Sequence, residues 1–399
     1  MSSALPQLRL KKNEDRRLRA GHLWIFSNEV DTGKTPLTDF EPGDEALVVG
    51  GNGKPLGIAY VNPRSLISAR IVSRSPDDRI DHSLLAHRIN VAAGLRDQFE
   101  ASPHYRAVFA ESDRLPGLVV DRYGEVLVGQ ITTAGMARRQ DLLTEILVDK
   151  YRPEALLWRN DSPIRGLEGL PLEVSMGHGD MPERLRVEES GTIFSIAAGE
   201  AQKTGWFYDQ RANRDRFIRY VSGKRVLDLF AYVGAWGLRA GVNGAQAVTC
   251  VDSGAQAIAD MEYNARELGL LESVRLVRSD VFQFLEQTLA EGERFDVVVL
   301  DPPAFAKRKK DAKAAIQAYR KLNEMALRLL DRDGILVTCS CSYHMRQDVF
   351  FDVVHQAARH VDRNLQLLER LQQAPDHPVH PAIPETDYLK GGVFRSTVS

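Results

Sequence analysis

The chain has 399 residues, which at about 150 residues per domain predicts two or three domains. Its 43% hydrophobic and 27% charged residues exclude a mainly disordered chain, and no run approaches the roughly 18 uninterrupted apolar residues of a spanning helix. The formal charge of −2 gives no global case for nucleic acid, and Cys250, Cys339 and Cys341 are too few for a disulfide framework or a four-ligand zinc site. The N-terminus lacks the apolar stretch of a secretion signal, so the expectation is a cytoplasmic protein without a membrane anchor or metal.

Charge is unevenly spread. Residues 1–75 carry a net +3 and residues 76–190 a net −6. Arg9, Lys11, Lys12, Arg16, Arg17 and Arg19 crowd the start of the chain, a density that suits phosphates and equally suits a solvated charged face. Strand-like runs over 45–49 and 56–61, set between Gly/Pro punctuation, predict a small β-rich domain over 1–75. Residues 74–78 (Arg-Ser-Pro-Asp-Asp) read as a linker. Helices over 83–100 and 137–150, with strands over 118–121, 126–131 and 155–159, predict an α+β domain over 76–191, in which no chemistry is legible.

The texture changes over 192–399. Strands are predicted over 225–230, 248–252, 274–278, 295–300 and 335–340, each followed by a helical stretch. Five such β–α units imply an α/β, Rossmann-like domain: a mostly parallel sheet with helices on both faces. Ligands of such sheets bind beyond the carboxyl ends of the strands.

The residues at those ends carry the chemistry. Asp228-Leu-Phe230-Ala-Tyr232-Val-Gly234 runs from a strand into a Gly-containing turn. It is not the Gly-rich turn that cradles a diphosphate, and Asp228 would repel one. It suits a ligand with cationic and hydroxyl groups, such as S-adenosylmethionine. Asp252, ending the second strand, would accept the ribose hydroxyls, and Asp280, after the third, the adenine amino group; each alone equally reads as a helix cap. Asp301-Pro302-Pro303-Ala-Phe305 ends the fourth strand in a rigid loop whose carboxylate can hold a nucleobase edge, although such a triplet can also be a plain turn. After the fifth strand, Cys339 suits a buried apolar position, while Cys341 sits at the mouth. A thiolate there can add to C6 of a pyrimidine and make C5 nucleophilic.

These motifs, with Lys203-Thr-Gly-Trp-Phe207-Tyr208-Asp-Gln210-Arg211, resemble the bacterial ribosomal RNA large subunit methyltransferase I family. The resemblance covers most of the chain, including Arg16-Arg17…Gly21-His22-Leu23-Trp24 near the start and Asp376-His377-Pro378 and Tyr388-Leu389-Lys390-Gly391 near the end. It implies an RNA-binding PUA domain, a central domain and a class I methyltransferase domain that uses S-adenosylmethionine to methylate cytosine C5, with ribosomal RNA as partner; it is compatible with a homodimer. Carried onto this chain, it makes Cys341 the nucleophile; the carboxylate of Asp301, read from its own loop, is then expected at the N3 edge. Asp228, Phe230, Tyr232, Gly234, Asp252, Asp280 and Gln210 become the cofactor candidates. Lys203, Phe207, Tyr208, Arg211, Pro302, Pro303, Phe305, Lys307, Arg16 and Arg17 become the RNA candidates. Phe207 and Tyr208 read either as stacking surfaces or as core. Relatives of RNA cytosine methyltransferases often hold a second cysteine in the strand-four motif; this chain has none there, so the base that removes the C5 proton is unassigned. The competing readings are a guanine-methylating enzyme of the same fold, which needs no thiol, and a non-catalytic RNA-binding assembly factor.

Overall fold

A computed structural model describes residues 4–199, 203–306 and 308–398. The chain divides into two compact units: Met1–Leu185, Ala201–Trp206 and Asp376–Thr386 form one, and Arg186–Glu200, Phe207–Pro375 and Asp387–Ser399 the other.

The first unit contains two five-stranded sheets. β1 (Gln7–Arg9), β2 (Trp24–Phe26), β3 (Asp44–Val49), β4 (Pro55–Val61) and β5 (Ile67–Ser73) are ordered β1-β3-β4-β5-β2, with the short helix α1 (Arg16–Arg19) before β2. After α2 (His82–Arg96), β6 (His104–Phe109), β7 (Leu118–Tyr123), β8 (Val126–Ile131), β9 (Ala155–Asn160) and β10 (Glu173–Gly179) run side by side in chain order. Their ladders are antiparallel except β8–β9, whose parallel pairing requires the crossover through α3 (Ala134–Ala137) and α4 (Gln140–Tyr151). The sequence predicts one helix there. Arg139 breaks it at φ −115°, ψ 15°, its guanidinium turned back onto the Gly135 and Ile80 carbonyls.

Strand β4 shows why the two sheets share a unit. Its run Gly-Ile-Ala-Tyr-Val is buried throughout, because both faces are covered. Ala59 and Val61 face the core of the first sheet, with Leu8, Val48 and Ile71. Ile58 and Tyr60 face the other way, into a core with Leu115, Met136 and Trp158 from the second sheet. The Tyr60 hydroxyl donates to the Pro116 carbonyl at 2.8 Å.

In the second unit a hairpin, β11 (Arg184–Glu189) and β12 (Thr192–Ala197), leads through α5 (Arg211–Phe217) into a seven-stranded sheet. Its elements are β13 (Arg225–Leu229), α6 (Gly237–Val242), β14 (Ala247–Asp252), α7 (Ala255–Glu267), β15 (Val274–Arg278), α8 (Val281–Glu291), β16 (Phe295–Leu300), α9 (Ala312–Leu329), β17 (Leu330–Ser340), α10 (Gln347–His360), β18 (Arg363–Gln372) and β19 (Lys390–Val398). The order is β15-β14-β13-β16-β17-β19-β18, parallel from β15 to β17, with β19 antiparallel to both neighbours. The central strand β16, Phe-Asp-Val-Val-Val-Leu, is almost continuously apolar because helices cover both faces. Leu300 and Val298 point toward α8, α9 and α10 (Leu285, Leu322, Val354), and Val297 and Val299 toward Phe217, Ala240 and Met261 of α5, α6 and α7. Helix α9 buries Ala315, Tyr319, Leu322, Ala326 and Leu329, a helical stripe on that sheet face. The five predicted strands are present; the β18–β19 pair was not foreseen. Among the described residues, no helix is long and apolar enough to cross a membrane.

Candidate active site

The order reverses between β13 and β16, and the residues beyond those strands' carboxyl ends lie where a ligand binds in such a sheet. After β13 the chain turns through Phe230 (φ 63°), Tyr232 (φ 51°) and Gly234 (φ 84°). Only Gly fits the last of these, since a Cβ there would come within 2.8 Å of Leu238 Cγ. The turn places the Gly237 amide 2.8 Å from Asp228 Oδ2.

Asp228 is fully buried, and its Oδ1 has no hydrogen-bond partner among the described residues. Burial, the largest cause, pushes its carboxyl up to about 8; Asp301 and Asp252 add to this, while the Gly237 N–H and Arg214 oppose it. Asp252 is half-buried. Its Oδ2 accepts from the Tyr232 amide at 2.9 Å and its Oδ1 from the Gly254 amide at 2.8 Å, which locks the carboxylate while leaving each oxygen a further lone pair. A buried carboxylate oxygen lacking a donor, beside a second fixed carboxylate, fits a ligand with a cationic centre and hydroxyls, as S-adenosylmethionine has. Asp280 is exposed, and its Oδ1 caps α8 through the amides of Phe282 and Gln283 at 2.9 and 3.1 Å. The helix-cap reading therefore accounts for its contacts.

Beyond β16, Asp301 is half-buried between two donors. Gln210 Nε2 donates to Oδ1 at 2.8 Å and Trp236 Nε1 to Oδ2 at 3.1 Å. Burial raises its carboxyl to about 6, with Asp209 adding and Trp236, Arg214 and Gln210 opposing. Gln210 is itself oriented, since Asn213 Nδ2 donates to its Oε1 at 2.6 Å and Asn213 Oδ1 takes the Gln372 amide at 3.2 Å. Gln210, expected among the cofactor ligands, thus spends its amide on Asp301 and Asn213. Pro302 is buried and Pro303 exposed. Phe305 packs between Phe230 and Tyr319, ring centroids 6.5 and 4.7 Å apart.

Cys341, one residue past β17, is half-buried, its Sγ 3.9 Å from the Pro302 carbonyl oxygen. Cys339 and Cys250 are completely buried, and burial pushes both thiols well above the ordinary value. Strand pairing of β16 with β17 brings the partly exposed thiol beside the Asp301-Pro302-Pro303 loop.

The remaining candidates divide. Phe207 is half-buried, edge-on to Tyr232 at 5.5 Å, and Arg211 is half-buried at the start of α5. Tyr208 is only 1% exposed and offers no face for stacking, so the core alternative holds for it. Lys203, exposed, and Arg16 and Arg17 belong to the first unit. Arg16 is exposed, but Arg17 is committed to Glu29 at 2.8 Å and lies over Phe26, 5.0 Å from its centroid. Lys307 lies outside the described residues. Trp236 and Asn213 were not anticipated, although Trp236 stands inside the quoted turn motif. Nor was the Tyr388 hydroxyl, which donates to Asp209 Oδ2 at 2.6 Å.

A PUA-like domain model matches residues 8–74, and an S-adenosylmethionine-dependent methyltransferase model matches residues 128–395. Ribosomal RNA large subunit methyltransferase I of Shewanella frigidimarina (strain NCIMB 400) is 38% identical over 397 residues, which are 98% of this chain and 99% of that protein. The protein of the same name from Aliivibrio fischeri (strain MJ11) is 36% identical over 393 residues, 97% and 98% of the two chains. Among solved structures, SMU.776 complexed with SAH superposes with a TM-score of 0.84 at 20% identity, over 98% of this chain and all (100%) of that one. At that identity the likeness speaks for the fold. The chain belongs to the S-adenosylmethionine-dependent methyltransferases, within the ribosomal RNA large subunit methyltransferase I family, and S-adenosylmethionine is its cofactor.

Proposed function

We propose that the protein methylates C5 of a cytosine in large-subunit ribosomal RNA through a covalent bond between Cys341 and C6. The observation that carries this is the half-exposed Cys341 thiol against the Asp301-Pro302-Pro303 loop, at the ends of adjacent strands. S-adenosylmethionine supplies an electrophilic methyl group on a sulfonium. Asp228, Asp252 and the Phe230–Gly234 turn would hold it, with Asp280 as the outermost candidate.

The chain's own residues account for the rest. A cytosine inside a stack hides its ring face, so the base is flipped out of the RNA to be reached. The Cys341 thiol loses its proton to water, and its sulfur forms the bond to C6. The C5–C6 electron pair then becomes available at C5, with charge developing toward N3. Asp301, whose carboxyl is raised to about 6, is partly protonated near neutral pH and can donate that proton to N3. Once C5 carries the methyl group, loss of its proton to a base expels Cys341 as thiolate, and N3 returns its proton to Asp301. Guanine nitrogens already carry a lone pair, so a guanine methylase has no use for the thiol. Residues 1–75, 76–191 and 192–399 are read as RNA-binding, central and catalytic parts, with Arg16, Lys203, Arg211 and the basic stretch at 307–310 offered to phosphates.

The test is nucleoside mass spectrometry of ribosomal RNA incubated with enzyme and labelled cofactor. The expected product is 5-methylcytidine, absent with Cys341→Ala; a methylguanosine, or 5-methylcytidine formed at the wild-type rate by the Ala variant, refutes the reading. RNA carrying 5-fluorocytidine, which has no C5 proton to lose, should leave a denaturation-resistant complex with the wild type alone.

A further inference from the structure

The last of the quoted motifs, Tyr388-Leu-Lys390-Gly, has no part in the mechanism so far, yet it enters the sheet beside the nucleophile. In the β17–β19 ladder Lys390 pairs with Ser340, the residue before Cys341. Lys390 is only 6% exposed. Its Nζ donates to the carbonyls of Ser342 at 2.6 Å and Met345 at 2.8 Å, both in the turn that follows the thiol. A buried ammonium is costly without a counter-charge, and two carbonyl oxygens do not provide one.

We propose that Lys390 is the positioning residue that holds Cys341 as a thiolate, the buried ammonium and the sulfur forming an ion pair once the thiol ionises. This rests on Cys341 being the nucleophile. Among the described residues, the titratable groups around this turn favour this assignment. Tyr319 of α9 is buried, pushed up to about 12, and neutral; it is tied to the same turn through Ser340 at 2.9 Å and Ser342 at 3.3 Å. Cys339 is buried and kept protonated. Asp301 is negative when ionised and opposes a thiolate. Asp387, just before β19, competes for the ammonium. Of these groups Lys390 alone is a cation. Burial, the largest cause, draws its own value down to about 8, with Cys341 and then Asp387 pulling the other way. Its support therefore holds at neutral pH and fades as the amine deprotonates above about pH 8.

The proposal is tested without RNA or cofactor, by the pH dependence of iodoacetamide alkylation at Cys341, located by peptide mass spectrometry. Cys250 and Cys339 are fully buried and serve as internal controls. The wild type should show a midpoint at least one pH unit below the ordinary thiol value of about 8.5. Lys390→Met should raise it to that value or above, making alkylation about tenfold slower at pH 7, and Lys390→Arg should restore a low midpoint. A wild-type midpoint at or above 8.5, or one unchanged in a folded Lys390→Met protein, overturns the proposal. If Lys390→Met fails to fold by circular dichroism, the wild-type midpoint decides, and the Arg variant checks it. Failure here leaves the C5 reading standing, whereas 5-methylcytidine made without Cys341 removes that reading whatever the alkylation shows.

Discussion

Two aspartates at neighbouring strand ends are tuned apart. Burial raises both carboxyls, Asp301 only to about 6 because Trp236 and Gln210 donate to it and pull it back, Asp228 to about 8 because a single donor, the Gly237 amide, opposes its burial together with Arg214. In the ligand-free protein Asp228 is therefore a destabilising residue. A carboxyl whose folded value lies above its unfolded one binds more protons when folded, so its contribution is complete below about pH 4 and is lost as pH rises through about 8. Asp228→Asn should accordingly raise the thermal midpoint of the ligand-free protein. The gain should be near zero at pH 4 and grow to about 1–3 kcal/mol by pH 8, in thermal unfolding monitored by circular dichroism. The same variant should weaken S-adenosylmethionine at least tenfold by isothermal titration, because the cation loses its counter-charge. Wild-type binding at pH 7 should release a fraction of a proton, seen as a heat that changes with the buffer's ionisation enthalpy. A destabilised variant, or binding with no proton release, contradicts this account.

At the level of elements, the five β–α units and the acidic strand ends were legible because each obeys a local rule: β-branched runs for buried parallel strands, helical spacing for α9, carboxylates after strands. The β18–β19 pair was not. Arg363–Gln372 alternates irregularly and is polar, as suits an edge strand, and Lys390-Gly-Gly begins a strand with residues poor in strand propensity. Its pairing is fixed by contacts with β17, far away in sequence, so the placement of Lys390 beside Cys341 was hidden too. The bond from Gln210 to Asp301 was hidden for the same reason, since the two lie 91 residues apart. The hairpin β11–β12 was equally obscure, and it carries a completely buried charge. Glu189 takes two hydrogen bonds from Arg214 of α5, both at 2.6 Å, and one from Arg239 of α6 at 2.8 Å. Arg214 also donates to the Phe207 carbonyl at 3.0 Å, just before Gln210. Removing the acid takes the bidentate carboxylate from the buried Arg214 and leaves Arg239 with Asp215 alone among the described residues, so Glu189→Ala should cost about 3–5 kcal/mol in urea unfolding. It should also lower methylation more than the loss of folded protein explains, because α5 carries Asn213, which orients the Gln210 amide that donates to Asp301. A cost below about 1 kcal/mol would mean the charges find water instead.

Over the whole molecule, a net charge of −2 cannot draw RNA in by itself, so electrostatic affinity must come from local cations. The near-equal alternatives weighed for the N-terminal basic cluster, phosphate contact or solvated face, separate residue by residue. Arg17 is held by Glu29 and the Trp24 carbonyl at 3.3 Å, so it supports the first unit's own structure. Arg16 is exposed on the same short helix and is open to a phosphate. Each phosphate contact releases condensed counterions, so the logarithm of the binding constant falls linearly with the logarithm of salt, by about 0.7 per contact on single strands and 0.9 on duplex. Arg16→Ala should therefore reduce that slope by nearly one and weaken RNA binding severalfold at low salt, with thermal stability unchanged. Arg17→Ala should instead lower stability and leave the slope almost as it was. Filter binding across 50–300 mM salt, on the order of the range where such slopes are resolved, separates the two. Equal slopes for Arg16→Ala and wild type would make the basic cluster a solvated face, and the phosphate contacts would then have to be sought among Lys203, Arg211 and the basic stretch after Phe305.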